Sequence, residues 1–146
     1  MMKRFMTVLA VIMSFAAAAC ADNDKAISFD RLPEKAQQFI REYFPSEKIA
    51  YVKMEREFAE LSYEVMFVQG AMVEFDRRGR WTDIECRYRT LDSRILPPAI
   101  ASYIASDWAG QACRKISRDR NEFEVKLVSG IELTFDRNYN LMGIDD

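Results

Sequence analysis

Carboxylates are the side chains with the clearest potential for chemistry in this 146-residue chain, which contains no histidine. The absence of histidine excludes histidine-based catalytic triads and removes the commonest zinc ligand. Four glutamates lie in segments where apolar and polar residues alternate, and this pattern places them on the solvent face of a predicted sheet: Glu64, Glu74, Glu124 and Glu132. Paired carboxylates catalyse acid–base reactions only in a cleft that moves their pKa values apart. On an open face they favour solubility and edge protection, so we predict no catalytic residue and no enzyme.

Two aspartates, Asp76 and Asp136, occupy equivalent positions before hairpin turns, where an aspartate side chain commonly caps the turn. Asp136, Asn138 and Asn140 also match the first half of a calcium-binding loop. Leu141, however, stands where that loop requires glycine, and the chain ends before its bidentate glutamate. The sequence therefore predicts turn capping at both aspartates, with no metal and no other cofactor.

The first 21 residues have the pattern of a secretory signal peptide. Lys3 and Arg4 precede an apolar run over residues 5–15 and four alanines at 16–19. The apolar stretch is shorter than the roughly 20 residues that a membrane-spanning helix needs. Two processing routes stay open, cleavage after Ala21 or lipidation of Cys20 at a weak lipoprotein box. We expect a periplasmic or secreted protein that contacts the membrane only through a lipid at Cys20.

Removal of the signal peptide changes both the charge and the number of cysteines. The mature chain retains 19 basic and 23 acidic residues, a net charge of −4, which argues against nucleic acid as a partner. Cys86 and Cys113 remain in a compartment that permits disulfides. Two cysteines form no framework pattern, so a disulfide and two buried thiols both stay open.

The chain contains an internal repeat. Residues 63–76 align without gaps on residues 123–136, with six identities in fourteen positions. Upstream, Leu32-Pro33 corresponds to Leu96-Pro97 at an offset of 64 instead of 60. The first copy therefore has four extra residues, which we place near positions 57–60.

Each copy has the pattern of one helix followed by strands. Apolar residues recur at helical spacing and form one apolar face on each predicted helix. These faces include the aromatic residues Phe39, Tyr43, Phe44, Tyr103 and Trp108. We assign these aromatic residues to the core, and the alternative is that they line a ligand pocket. The strands alternate apolar and polar residues, typical of an antiparallel sheet covered on one side. We predict an α+β fold in which two helices pack on one face of an eight-stranded antiparallel sheet. The predicted division is signal peptide 1–21, first repeat 22–88, connector 89–95 and second repeat 96–146.

The uncovered sheet face is the predicted binding surface. Because Val65, Val73 and Ile84 point inward, alternation turns Met66, Met72 and Trp81 outward. Apolar anchors within a charged surround are typical of protein-binding surfaces. The residues predicted to contact a partner are Trp81, Met66, Met72, Tyr51, Glu64, Glu74 and Arg87.

The repeated order of Leu-Pro, an amphipathic helix, Tyr/Phe-Glu-Val, Gly and Phe-Asp resembles the PepSY-like family of exported bacterial proteins, also described as beta-lactamase-inhibitor-like. The resemblance covers residues 28–146. It implies two tandem copies of helices on a four-stranded sheet whose open concave face binds a partner protein, and it implies no catalytic residue. We therefore expect an exported binding or inhibitory module for a protein in the cell envelope. An envelope enzyme using paired carboxylates and a small-ligand carrier are the alternatives.

Overall fold

The computed structural model describes residues 24–146. Within them lie two α-helices, two short 3₁₀ turns (Phe29–Arg31 and Ser93–Ile95) and nine β-strands. The order is β1 (Asp24–Ala26), α1 (Glu34–Tyr43), β2 (Ile49–Glu57), β3 (Glu60–Phe67), β4 (Met72–Asp76), β5 (Trp81–Glu85), α2 (Pro98–Asp107), β6 (Cys113–Arg118), β7 (Glu122–Leu127), β8 (Glu132–Asp136) and β9 (Leu141–Asp145). The predicted signal peptide and the lipidation at Cys20 lie outside the described residues.

All nine strands form one antiparallel sheet, in which spatial order follows chain order. This confirms the α+β class and adds one strand to the predicted eight. The extra strand, β1, pairs its three residues with Lys53–Glu55 at one edge of the sheet. Three residues are too few to show a period-two pattern, and for this reason the sequence does not reveal the strand.

Both helices begin directly after a proline, at Pro33 and Pro97. A proline there loses no hydrogen bond, because the first N–H groups of a helix have no acceptor within it. Ten-residue helices are marginal alone and need tertiary packing. Each helix has two buried residues, Ala36 and Ile40 in α1 and Ile100 and Ile104 in α2.

Aromatic rings fill the layer between helices and sheet. Phe39 meets Phe75 edge-on with ring centroids 5.8 Å apart, and Phe44 stacks on Phe67 at 4.8 Å. In the second half, Tyr103 meets Phe135 edge-on at 5.6 Å. These contacts confirm the assignment of Phe39, Phe44 and Tyr103 to the core, and they count against a ligand-carrying pocket in this layer.

The second half of the fold repeats the element order of the first. Helix α2 begins and ends 64 residues after α1, whereas β8 and β9 begin and end 60 residues after β4 and β5. The irregularities recur too, since the register shift after Ile49 returns after Cys113 and the shift after Glu74 returns after Thr134. The change of offset falls between β2 and β3, where the sequence predicts the four extra residues.

The two repeated aspartates cap their hairpins as predicted. Asp76 Oδ1 accepts the backbone N–H groups of Arg78 and Arg80, both at 2.9 Å. Asp136 Oδ1 accepts those of Asn138 and Asn140 at 2.8 and 2.9 Å. In both cases the backbone hydrogen bonds outweigh the effect of burial and lower the pKa of the carboxyl. The incomplete calcium motif is therefore a turn cap.

Candidate partner-binding face

The uncovered face of the sheet carries a short row of large apolar side chains across three strands. Tyr51 of β2 lies opposite Met66 of β3, which lies opposite Met72 of β4. The side chains directly opposite each other in a sheet share a face and touch. Tyr51 is 40% exposed, and the two methionines are half-buried. We refer to Tyr51, Met66 and Met72 as the apolar row.

A row of carboxylates runs parallel to the apolar row, two residues further along the strands. Glu64 lies opposite Glu74, which lies opposite Asp83. Glu64 is buried to 9% exposure, and its Oε2 accepts the hydroxyl of Tyr51 at 2.5 Å. We refer to Glu64, Glu74 and Asp83 as the acidic row. The Tyr51 hydroxyl thus joins the two rows into one surface.

The acidic row changes the protonation of its central member. Burial, followed by repulsion from Asp83, Glu64 and Glu55 and a hydrogen bond with Asp83, raises the pKa of Glu74 to about 7. Adjacent carboxylates resist ionising together, because each charge raises the free energy of the next. Near neutral pH the Glu74 carboxyl is therefore partly protonated.

A lysine borders the acidic row at the β1 edge. Lys53 lies opposite Glu64, and its Nζ is 3.1 Å from Glu55 Oε2 and 3.3 Å from Asp24 Oδ2. Burial alone would lower the pKa of Lys53, but these two hydrogen bonds and the charges of Glu55 and Glu64 raise it above its usual range. Lys53 thus offsets part of the charge of Glu64, whereas Glu74 and Asp83 form no ion pair within residues 24–146.

Trp81 does not lie on the open face, and its predicted outward position is wrong. The register of β4 and β5 shifts between Glu74 and Phe75, so that Trp81 lies opposite Phe75. Phe75 packs against the helix layer, and a directly opposed residue shares its face. A β-bulge inserts one residue and reverses the alternation beyond it. Trp81 is accordingly 9% exposed and belongs to the core.

Arg87 is also separated from the two rows. It lies in the loop after β5 and packs near Gly70, whose conformation has a φ of +100° that favours glycine. Together with Val68, Tyr88 and Arg89 it lines a surface cavity of about 350 Å³ at the end of the strands. The structure brings together five of the seven predicted residues: Tyr51, Met66, Met72, Glu64 and Glu74.

Beyond Met72 the open face continues in a polar row whose charges balance. The row that continues from Met72 runs through Glu85, Lys115, Lys126 and Glu132. Glu124 lies opposite Ser117 and Thr134, and burial with repulsion from Glu122 and Glu132 raises its pKa.

Glu64 and Glu124 do not form a catalytic pair. They lie on β3 and β7, four strands apart, which at about 4.8 Å per strand is roughly 19 Å. Carboxylates that act together on one bond are separated by about 5 to 10 Å. These two glutamates, which occupy equivalent positions in the repeat, are thus too distant to act on one substrate bond.

Cys86 and Cys113 are both free thiols in the structure, and both are buried. Burial raises the pKa of Cys86, and it raises that of Cys113 to about 11. Such thiols are protonated and poorly nucleophilic near neutral pH. Among residues 24–146, no group of three or more Cys, Asp or Glu side chains is arranged to hold a metal ion.

The geometry of residues 24–146 defines a class of α+β protein in which two helices cover one face of an open antiparallel sheet and leave the other uncovered. Within the described part of the chain, neither helix is long and apolar enough to cross a membrane. The chain belongs to the family described as "Putative beta-lactamase-inhibitor-like, PepSY-like", whose model matches residues 20–62 and 61–143. The resemblance inferred from the sequence is thereby confirmed.

Solved structures of Bacteroides proteins are similar to this chain over nearly their whole length. A "putative periplasmic protein" of the DUF2874 family from Bacteroides vulgatus is 40% identical, with a TM-score of 0.84, and the match covers 86% of this chain and 99% of that one. A "putative calcium-regulated periplasmic protein" from Bacteroides thetaiotaomicron is 41% identical, with a TM-score of 0.83 and the same coverage. A third, of unknown function and also from Bacteroides vulgatus, is 31% identical, with a TM-score of 0.79 and coverage of 84% and 99%. The comparison with curated proteins gives no match.

Proposed function

We propose that this protein is an exported, periplasmic binding module without catalytic activity, and that it engages a protein partner through the first half of its open sheet face. The observation that carries the proposal is the apolar row lying beside the acidic row on a face that no helix of residues 24–146 covers. The description of the similar Bacteroides proteins as periplasmic supports the location. We further infer that the recurring elements arose by tandem duplication.

The chemistry of the surface favours a partner of a particular kind. The methionine pair is flexible and polarisable, which suits it to contact an apolar side chain of varied shape. The neighbouring carboxylates attract Lys or Arg side chains and disfavour acidic ones. The partner we propose therefore presents an apolar residue flanked by basic residues. Binding covers this part of the partner's surface and forms no covalent bond.

The test is affinity capture from the envelope fraction of the native organism. The test variant is Met66→Ala with Met72→Ala, which removes both methionines of the apolar row and leaves the core untouched. The matched control is Lys126→Ala with Glu132→Ala on the second half of the same face. We expect the test variant to lose a partner that wild type and control retain. Identical partners for all three proteins would refute the use of this face.

Calcium is included as a variable in the same experiment, because one relative is described as calcium-regulated. Within residues 24–146 the carboxylates are not arranged as a metal site, but calcium in solution can screen the charge of the acidic row. Capture is therefore repeated with added calcium and with a chelator. If calcium screens the acidic row, a basic partner should bind less in its presence. Equal capture in both conditions would show that calcium does not regulate the binding of the partner.

A further inference from the structure

The proposed function does not involve a cluster of arginines that lies near the start of β5 and the end of β6. It surrounds a cavity of about 280 Å³ that is lined by Arg80, Arg118, Arg120 and Arg137, together with Asp76 and Asp119. We refer to it as the arginine cavity. Four cations and two anions converge here in a chain whose overall charge is −2, so the cavity opposes the charge of the whole protein.

The two aspartates of the cavity are already fixed in turns. Asp76 caps its hairpin and also contacts Arg80, with Oδ2 3.4 Å from Nε. Asp119 Oδ1 accepts the backbone N–H groups of Asn121 and Glu122 at 2.7 and 3.0 Å. Rotating either carboxylate toward the centre of the cavity would break these hydrogen bonds. The aspartates therefore reduce the positive charge without filling the cavity.

Arg118 is held rigidly at the wall of the cavity. Its Nε donates to the backbone oxygen of Trp81 at 2.8 Å, and the guanidinium carbon lies 3.9 Å from the centre of the Trp81 ring. Burial, with repulsion from Arg80, lowers the pKa of Arg118, yet an arginine stays charged in proteins. Within residues 24–146, no carboxylate oxygen lies within 4 Å of this guanidinium and its terminal N–H groups donate no hydrogen bond.

A half-buried charge that is oriented but unpaired is costly unless a counter-ion arrives. The guanidinium fork matches two oxygens of one anion, which makes arginine the preferred side chain for phosphate and carboxylate groups. Because Nε is already used, the remaining donors of Arg118 are its terminal N–H groups. The excess of two positive charges in the cavity favours an anion with more than one negative charge.

We propose that the arginine cavity binds a multiply charged oxyanion of the phosphate or sulfate class. Arg118 is the fixed hydrogen-bond donor, and Arg80, Arg120 and Arg137 supply further positive charge. The ligand approaches from the hairpin side. Arg118 also lines a second depression with Asp83, Glu122 and Glu124, whose negative charges repel anions.

The site lies at the junction of the two halves, and the described second half has no equivalent of it. Trp81 belongs to β5 and Arg118 to β6, so each half of the fold contributes one of the stacked pair. At the repeat offsets, the residue equivalent to Trp81 is Leu141 and the residue equivalent to Arg118 is Met54. Neither replacement can reproduce the stack. The anion site is thus a product of joining the two copies and is independent of the partner-binding face.

The fluorescence of Trp81 provides an assay for binding. The chain has two tryptophans, so Trp108→Phe leaves Trp81 as the sole tryptophan and a reporter of the arginine beside it. Titrations of the full folded chain use inorganic phosphate, sulfate and glycerol 3-phosphate, with sodium chloride at matched ionic strength as the reference. We expect a saturable change in Trp81 emission with the oxyanions and none with chloride. Tighter binding of glycerol 3-phosphate than of phosphate would identify an esterified group as the ligand, and the reverse order would identify a free ion.

Variants in the same background locate the binding. Arg118→Gln should weaken binding by about tenfold or more, as expected for loss of a charged hydrogen-bonding group. Arg137→Gln, on an exposed hairpin, should weaken it severalfold without a folding defect. Arg56→Gln, an exposed arginine on β2, is the matched control and should bind like the parent. Absence of a saturable signal, or equal affinity of Arg137→Gln and the control, would overturn the proposal.

Discussion

Glu74 provides the sharpest test of the electrostatics of the open face. It lies between Glu64 and Asp83 in the acidic row, and its pKa rises to about 7. A carboxyl with a raised pKa in the folded state binds its proton more tightly there than in the unfolded chain. Between the two pKa values the folded state carries the extra proton, so stability falls as pH rises through this interval. The expected window runs from 4.5 to about 7.

The size of the effect follows from the shift. Raising the pKa from 4.5 to about 7 corresponds to about 3 kcal/mol, at roughly 1.4 kcal/mol per pKa unit. The Glu74 side chain is only partly buried, and solvent screening reduces this value to about 1 to 2 kcal/mol. The variant Glu74→Gln removes the charge and keeps the shape. It should therefore exceed wild type in stability by about 1 to 2 kcal/mol above the window and equal it below the window.

Urea unfolding at about pH 4.5, 6 and 8, followed by circular dichroism, measures this difference directly. The control is Glu57→Gln, an exposed glutamate at the end of β2, which should stay within about 0.5 kcal/mol of wild type at each pH. A stability difference that does not grow with pH, or a Glu74→Gln variant less stable than wild type at high pH, would refute the interpretation of the acidic row.

Three further predictions concern the core, a turn and the thiols. Phe75→Ala should destabilise the fold by about 3 to 5 kcal/mol in urea unfolding, because the ring is fully buried against Phe39, and a loss below about 1 kcal/mol would contradict the packing. Asp76→Ala should cost about 1 to 2 kcal/mol near neutral pH through the lost turn hydrogen bonds. Because the folded state lowers the pKa of Asp76, that cost should shrink as pH falls below 3.8, and a cost independent of pH would contradict the capping role. Cys86 and Cys113 should react with iodoacetamide far more slowly in the folded protein than in urea, as mass spectrometry can measure, and rapid labelling of folded protein would contradict their burial.

Much of the fold follows from periodic patterns that are visible in the sequence. The helical spacing around Phe39 and Tyr103 and the alternation around Val65 and Val125 identify elements that the structure confirms. These signals are local, since each depends on residues within one helix or strand. The repeat strengthens them, because an ambiguous segment in one copy is matched by a clearer segment in the other.

The alternation of apolar and polar residues does not predict which face of the sheet Trp81 lies on. Counting back from Ile84 places Trp81 outward, whereas one bulged residue in β5 turns it inward. The same limit applies to its stacking with Arg118, which is on the next strand and 37 residues away. The hydrogen bond from Tyr51 to Glu64 likewise depends on the register between two strands. Tertiary pairing, and not composition, determines these side-chain contacts.

The two halves of the fold show how one scaffold can carry different surfaces. Their helices, strands and bulges recur at constant offsets because the core positions must fill the same space. The open face has no such requirement: where the first half has Glu64 opposite Glu74, the second has Glu124 opposite Thr134. The apolar row has also been replaced, since Glu132 takes the position of Met72. Binding through the open face should therefore depend on the first half alone, with the second half completing the sheet and contributing Arg118 to the junction.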